Sequence, residues 1–133
     1  MGQANVNLLL DTHALIWWWT DDVQLSKRVR KLLLDTENTV YVSAASAWEI
    51  AIKQRIGKLE GVPYASEHFA SLVSADGFVH LPMRHEHALR AGAYASAHRD
   101  PFDRMLAAQS EIEGISLVTR DPLLKEFGCK TIW

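Results

Sequence analysis

The sequence predicts an α/β domain with a mainly parallel central sheet of four to five strands flanked by helices. Three observations carry that prediction. Short apolar segments alternate along the chain with longer helical ones, which implies right-handed crossovers and helices on both faces of a sheet. The first apolar run, Val6–Leu10, has no polar alternation, as expected of a central strand covered on both sides. Acids follow the apolar runs or open the helices after them, at Asp11, Glu49, Asp103 and Asp121.

Each element has its local reason. After Asp11, Ala14–Trp19 reads as a helix whose three tryptophans are about 100° apart, so they cannot share one face. At least one of Trp17, Trp18 and Trp19 is therefore expected to be partly exposed, as helix coverage or as an aromatic groove for a partner. Leu25-Ser26-Lys27 starts a second helix through about Leu34, with Val29, Leu32 and Leu33 spaced for burial. Thr39–Ser43 is rich in β-formers and reads as the second strand. Helix follows from about Ala45 to Ile56, with Trp48, Ile52 and Ile56 on one row and Gly57 as the stop.

Beyond a loop at residues 57–63, Tyr64–Ala75 reads as helix and Phe78–Leu81 as a short strand closed by Pro82. Glu86 to His98 reads as a helix rich in alanine, whose small side chains permit close approach. Asp100-Pro101 is an N-cap followed by proline at the first helical position, and that helix runs to about Glu113 before Gly114. Ile115–Thr119 is another strand, Asp121-Pro122 begins a short helix, and Lys130–Trp133 is a last strand or tail.

With 133 residues the chain fits a single domain, 1–133, and its 48% hydrophobic and 23% charged residues describe an ordinary globule. A formal net charge of -2 gives no global sign of nucleic-acid binding, so such binding must rest on a local basic surface. The lone Cys129 excludes an internal disulfide and suggests a reducing compartment. Leu8–Trp19 is too short and too interrupted for a membrane span, and no basic segment marks it as a secretion signal. Met1-Gly2-Gln3-Ala4-Asn5-Val6 lacks the hydroxyl residue of an acylation site. The expected location is the cytoplasm.

The acids carry the chemistry. In an open parallel sheet, strand C-terminal ends and the helices leaving them share one edge, where ligand crevices form. Asp11 follows the first strand, Glu49 lies in the first turn after the second, Asp103 opens the long helix, and Asp121 follows Ser116–Thr119. Each has a plainer role: Asp11, Asp100 and Asp121 as helix caps, and Ser46-Ala47-Trp48-Glu49 as a capping box. Convergence is costly, because two carboxylates ~4 Å apart repel by about 4 kcal/mol at an effective dielectric of ~20. A divalent cation is the natural compensating charge, and all-oxygen ligation suits Mg²⁺ or Mn²⁺ better than zinc. His85 and His87, two residues apart on a helix, do not share a face and make a poor zinc site.

Four stretches carry a resemblance: Leu8–His13, Ser43–Ile50, Asp100–Arg104 and Leu117–Asp121. In order, over nearly the whole chain, they resemble the PIN-domain family, and most of all its VapC-type toxins of prokaryotic type II toxin–antitoxin systems. The resemblance implies a PIN-like α/β/α sandwich, a Mg²⁺- or Mn²⁺-dependent ribonuclease, a homodimer, and inhibition by a cognate VapB-type antitoxin. Asp11, Glu49, Asp103 and Asp121 match the family's acidic quartet, with Asp11 and Asp103 the principal metal ligands. Asp100 is then a cap or an outer acid, and Thr119 matches a hydroxyl position suited to orienting a water or a carboxylate. The implied reaction is hydrolysis of an RNA phosphodiester to a 5′-phosphate and a 3′-hydroxyl. Lys53, Arg55 and Lys58, with Arg99, Arg104 and Arg120 beside the acids, are the expected contacts to the RNA backbone.

Other readings compete. A phosphoaspartyl phosphatase needs a second Asp two residues after the first, where this chain has His13. A receiver domain needs paired acids at the first strand's end and a late lysine, and Asp21-Asp22 lie well past that end. A catalytically inactive relative that only binds RNA or protein would not need a complete quartet. The tryptophan run suggests that an antitoxin segment packs near Trp17–Trp19.

Overall fold

The computed structural model describes residues 5–59 and 61–133. The Met1–Ala4 part of the stretch read for an acylation signal lies outside the described residues. Five strands form one sheet, in order β1 (Asn7–Leu10), β2 (Thr39–Ser43), β3 (Val79–Leu81), β4 (Ser116–Val118) and β5 (Thr131–Ile132) along the chain. Across the sheet they run β3-β2-β1-β4-β5, and every pairing is parallel. Leu9 is in register with Tyr41 on one side and Leu117 on the other, so β1 is the innermost strand.

The leucine run explains that position. Leu8 and Leu10 face one core with Leu15, Val29, Val42, Ile50 and Val73, while Leu9 faces the other with Leu81, Leu106, Leu117 and Leu124. All three β1 leucines are fully buried, each side chain contributing roughly 1.5–3 kcal/mol. Helices α1 (Thr12–Trp19), α2 (Lys27–Leu34) and α4 (Phe69–Ala75) pack on the first face. Helix α6 (Pro101–Glu113) and a 3₁₀ helix, Pro122–Phe127, cover the second. Helices α3 (Ala44–Arg55) and α5 (His85–Ala93) lie against α6.

Four expectations change in extent. Tyr64–His68 forms turns, and α4 begins only at Phe69. Helix α5 stops at Ala93, short of His98, because Arg104 draws the chain off the helix. Its guanidinium donates to the carbonyls of Ala91, Tyr94, Ser96 and His98, at 2.6–3.2 Å. Ser43, not the expected capping box at Ser46, caps α3 by accepting from the Ala45 amide. Finally, the Trp48–Ile52–Ile56 row points outward, with Trp48 and Ile56 about half exposed; Ala45, Ser46 and Ile50 are the buried residues of α3.

The tryptophans of α1 separate as their spacing requires. Trp17 packs edge-on to Trp133, Trp18 against Phe78, and Trp19 against Phe69 while donating to Asp76. All three keep some exposure. Cys129 is buried, its thiol against the Leu124 carbonyl.

Candidate active site

The C-terminal edge of the sheet gathers the acids, and helix capping holds two of them. Asp11 leaves β1 with its amide on the Val118 carbonyl (3.0 Å), and its carboxylate accepts from the Ala14 amide (2.7 Å) at the start of α1. Asp121 caps the 3₁₀ helix by accepting from Leu123 (2.9 Å), and its own amide donates to the Thr119 hydroxyl (3.1 Å). Asp100 caps α6 by accepting from Phe102 and Asp103, which places Asp103 in the first helical turn. Because α3 starts at Ala44, Glu49 stands in its second turn rather than its first.

A buried bridge sets how α3 and α6 meet. The Ser43 hydroxyl donates to Gln109 Oε1 (2.5 Å), and the Gln109 amide donates to the Pro82 carbonyl (3.2 Å). That ties the end of β2, the middle of α6 and the exit of β3. The buried hydroxyls of Thr12 and Ser46, 3.0 Å apart, join α1 to α3 in the same way.

Electrostatics record the crowding. Burial pushes the Asp11 carboxyl up to about 6, against the lowering effect of the Ala14 amide, the Thr119 hydroxyl and His13; the Asp103 charge adds to the rise. Asp103 is also raised, first by burial, with the charges of Asp100 and Glu49 adding and the His98 contact opposing. Donor atoms of His98, Asp103 and Asp121 lie within 4.8 Å of one another, and His98 Nε2 is 2.8 Å from Asp103 Oδ2. Asp11 and Asp121 line a cleft of about 370 Å³ with His13, Trp17 and Arg120. These donors suit a divalent cation: carboxylates whose proton affinity is raised by burial and by each other gain from a positive charge among them.

The basic residues take different stations. Lys53 pairs with Glu49 (3.3 Å) one turn away on α3. Arg120 stands at the mouth of the cleft, 5.8 Å from the Trp17 ring centre and bonded to Gln24. Arg55, Lys58 and Arg99 are exposed. Arg104 does not join the surface set, because its donors are taken up by the four carbonyls described above. His87 is a core histidine: Nδ1 accepts from the Arg84 amide and Nε2 meets Glu113.

Two further histidines stand at the site. His98 reaches Asp103 because Arg104 folds the preceding residues back, a contact that spacing alone does not announce. His13, on the first turn of α1, projects into the cleft wall and leans on Trp17.

Comparison with known proteins agrees with this architecture. The sequence profile of the PIN domain family matches residues 8–128. Ribonuclease VapC16 of Mycobacterium tuberculosis is 34% identical over 67 residues, 50% of this chain and 48% of that protein. The chain thus matches about half the length of that curated relative. Among solved structures, FitAcB from Neisseria gonorrhoeae superposes with a TM-score of 0.68 at 22% identity, covering 95% of this chain and 96% of the other. VapBC2 from Rickettsia felis, bound to a promoter DNA fragment, gives a TM-score of 0.68 at 12% identity, covering 96% and 98%. FitAB bound to a DNA fragment gives 0.64 at 21% identity, covering 94% and 93%. With a family match over nearly its full length on a parallel sheet of this order, the chain belongs to the PIN domain family.

Proposed function

We propose that the protein is a ribonuclease dependent on Mg²⁺ or Mn²⁺, acting as the toxin of a VapBC-type toxin–antitoxin pair. The observation that supports this reading is the donor cluster of His98, Asp103 and Asp121 beside the cleft that Asp121 shares with Asp11, where burial raises both Asp11 and Asp103, the Asp103 charge adding at Asp11 and the Glu49 charge adding at Asp103. Asp11, Asp103 and Asp121 would hold the cation, with Glu49 on its outer side and His98 as a further donor. A bound divalent ion lowers the pKa of its water and neutralises charge on the phosphate oxygens. Thr119 keeps Asp11 and Asp121 in place, since its hydroxyl contacts both. Lys53, Arg55, Arg99 and Arg120, with Lys58, offer a basic rim for the RNA backbone.

The likeness to a protein named Ribonuclease VapC16, and to folds solved as FitAB and VapBC2 assemblies, supports the toxin assignment and a VapB-type antitoxin as partner. The outward Trp48–Ile52–Ile56 row, with Met83 exposed beside Trp48, supports a homodimer. No helix among the described residues is long and apolar enough to cross a membrane. The lone buried thiol fits a cytoplasmic setting.

The deciding experiment is cleavage of a mixed pool of single-stranded RNA by the protein with Mg²⁺, with Mn²⁺ and with EDTA. Cleavage with either metal, leaving 5′-phosphate and 3′-hydroxyl ends, is expected to vanish in EDTA and in Asp103→Asn. Activity that survives both chelation and Asp103→Asn would overturn the assignment.

A further inference from the structure

A second cavity adjoins the acidic cleft and shares two residues with it, His13 and Trp17. Its volume is about 480 Å³, and Lys53, Lys58, Thr20 and Leu59 complete most of its wall. His13 is exposed, only two residues beyond Asp11, so the helix start that holds the acid also holds this ring. The imidazole leans on Trp17 with ring centres 5.6 Å apart and planes tilted by 36°. Trp17 is itself braced edge-on by Trp133 at 5.8 Å. Lys53 Nζ lies 3.5 Å from His13 Nε2, and Lys58 stands exposed on the same wall. One acid, Asp22, lies on the rim and opposes the lysines.

This combination matches one ligand chemistry. An exposed planar ring leaning on a second aromatic, with cations beside it, takes the face of an unpaired base and the phosphates on either side. A paired base within a duplex presents only its edge and cannot lie on such a ring. Resting on the ribonuclease reading above, we propose that His13, backed by Trp17, is the stacking platform for an unpaired nucleobase next to the cleaved phosphate. Lys53 and Lys58 hold the flanking backbone. His13 serves as a surface and not as an acid, base or metal ligand.

The test measures binding without cleavage. Fluorescence anisotropy of a labelled pool of random RNA strands of about ten nucleotides, in EDTA, reads affinity alone. His13→Ala is expected to weaken binding by about 5- to 150-fold, the range for losing one stacked base. His13→Phe, which keeps a flat ring and removes both nitrogens, is expected to bind within about twofold of the natural protein. Lys58→Ala should weaken binding and reduce the slope of log affinity against log salt by about 0.7. The same strands annealed to their complements should bind more weakly and lose nothing to His13→Ala.

Unchanged affinity in His13→Ala would overturn the platform, as would His13→Phe binding as poorly as His13→Ala, or equal losses on duplex. The two proposals separate cleanly. Metal-dependent cleavage with His13→Ala affinity intact leaves the ribonuclease and removes the platform. The reverse pattern, a stacking loss without cleavage under any metal, keeps the platform and removes the ribonuclease.

Discussion

Replacing Asp11 by Asn should make this protein more stable, and by an amount that depends on pH. Burial raises the Asp11 carboxyl from its ordinary 3.8 to about 6 in the folded chain. Between those values the folded state holds a proton that the unfolded chain has already released. The stabilisation is therefore complete below about pH 4 and is lost as pH rises through about 6. At pH 7.5 the ionised carboxylate leaves the fold about 3 kcal/mol weaker than a neutral group would, at roughly 1.36 kcal/mol per tenfold change in acid strength.

Asparagine is neutral throughout and caps a helix as well as aspartate does, so the bond to the Ala14 amide is kept. Urea unfolding followed by the fluorescence of the five tryptophans, in EDTA, is the assay. Asp11→Asn should gain about 3 kcal/mol at pH 7.5, a midpoint shift of roughly 1–3 M, and close to nothing near pH 4. Adding Mg²⁺ or Mn²⁺ at about a hundred times its dissociation constant should return about 2.7 kcal/mol to the natural protein and much less to the variant. A variant that is no more stable at pH 7.5, or whose advantage is the same at pH 4, would refute the account of Asp11 as a strained buried charge.

Two further perturbations test the scaffold. Arg104→Lys should lower stability by about 3 kcal/mol and open residues 94–98 to hydrogen exchange, since an ammonium cannot reach the four carbonyls that the planar fork serves. Unchanged exchange there would show that the segment holds itself. Gly61→Ala should cost about 1–3 kcal/mol, because its φ of +83° strains any side chain and the new Cβ would lie 2.8 Å from Thr20 Cγ2. Adding Thr20→Ser, which removes that methyl and keeps the hydroxyl on the Ile16 carbonyl, should recover part of the loss. Strict additivity of the two changes in thermal unfolding would place the penalty in the backbone alone.

Much of this arrangement is legible in the chain because it follows from local chemistry. An unbroken leucine run reads as an inner strand, and Asp-Pro reads as a capped helix start at both Asp100 and Asp121. Where the reading fell short, a distant group had intervened. Alanine-rich residues 94–98 read as helix, yet a guanidinium from the next helix captures their carbonyls. Ser46 and Glu49 have the spacing of a capping box, but Ser43 reaches an amide first and Ser46 turns inward to Thr12. The acids were visible because strand ends and helix starts are marked in sequence. His98 was not, since it meets Asp103 only through the fold-back of the chain, whereas His13 stands four residues before Trp17 on the same helix, a pairing that helical spacing does give.

Asp11 and Asp121 each do two jobs with one carboxylate, closing a helix start while facing the cleft. That overlap constrains how such a domain can decay. A copy released from selection for chemistry still needs something at those two positions to receive the amides of Ala14 and Leu123. Substitutions to Asn or Ser keep the folding function, whereas Leu or Val would leave a helix end bare. A silent descendant of this chain should therefore carry short polar side chains at 11 and 121, while Glu49, which caps nothing, is free to drift.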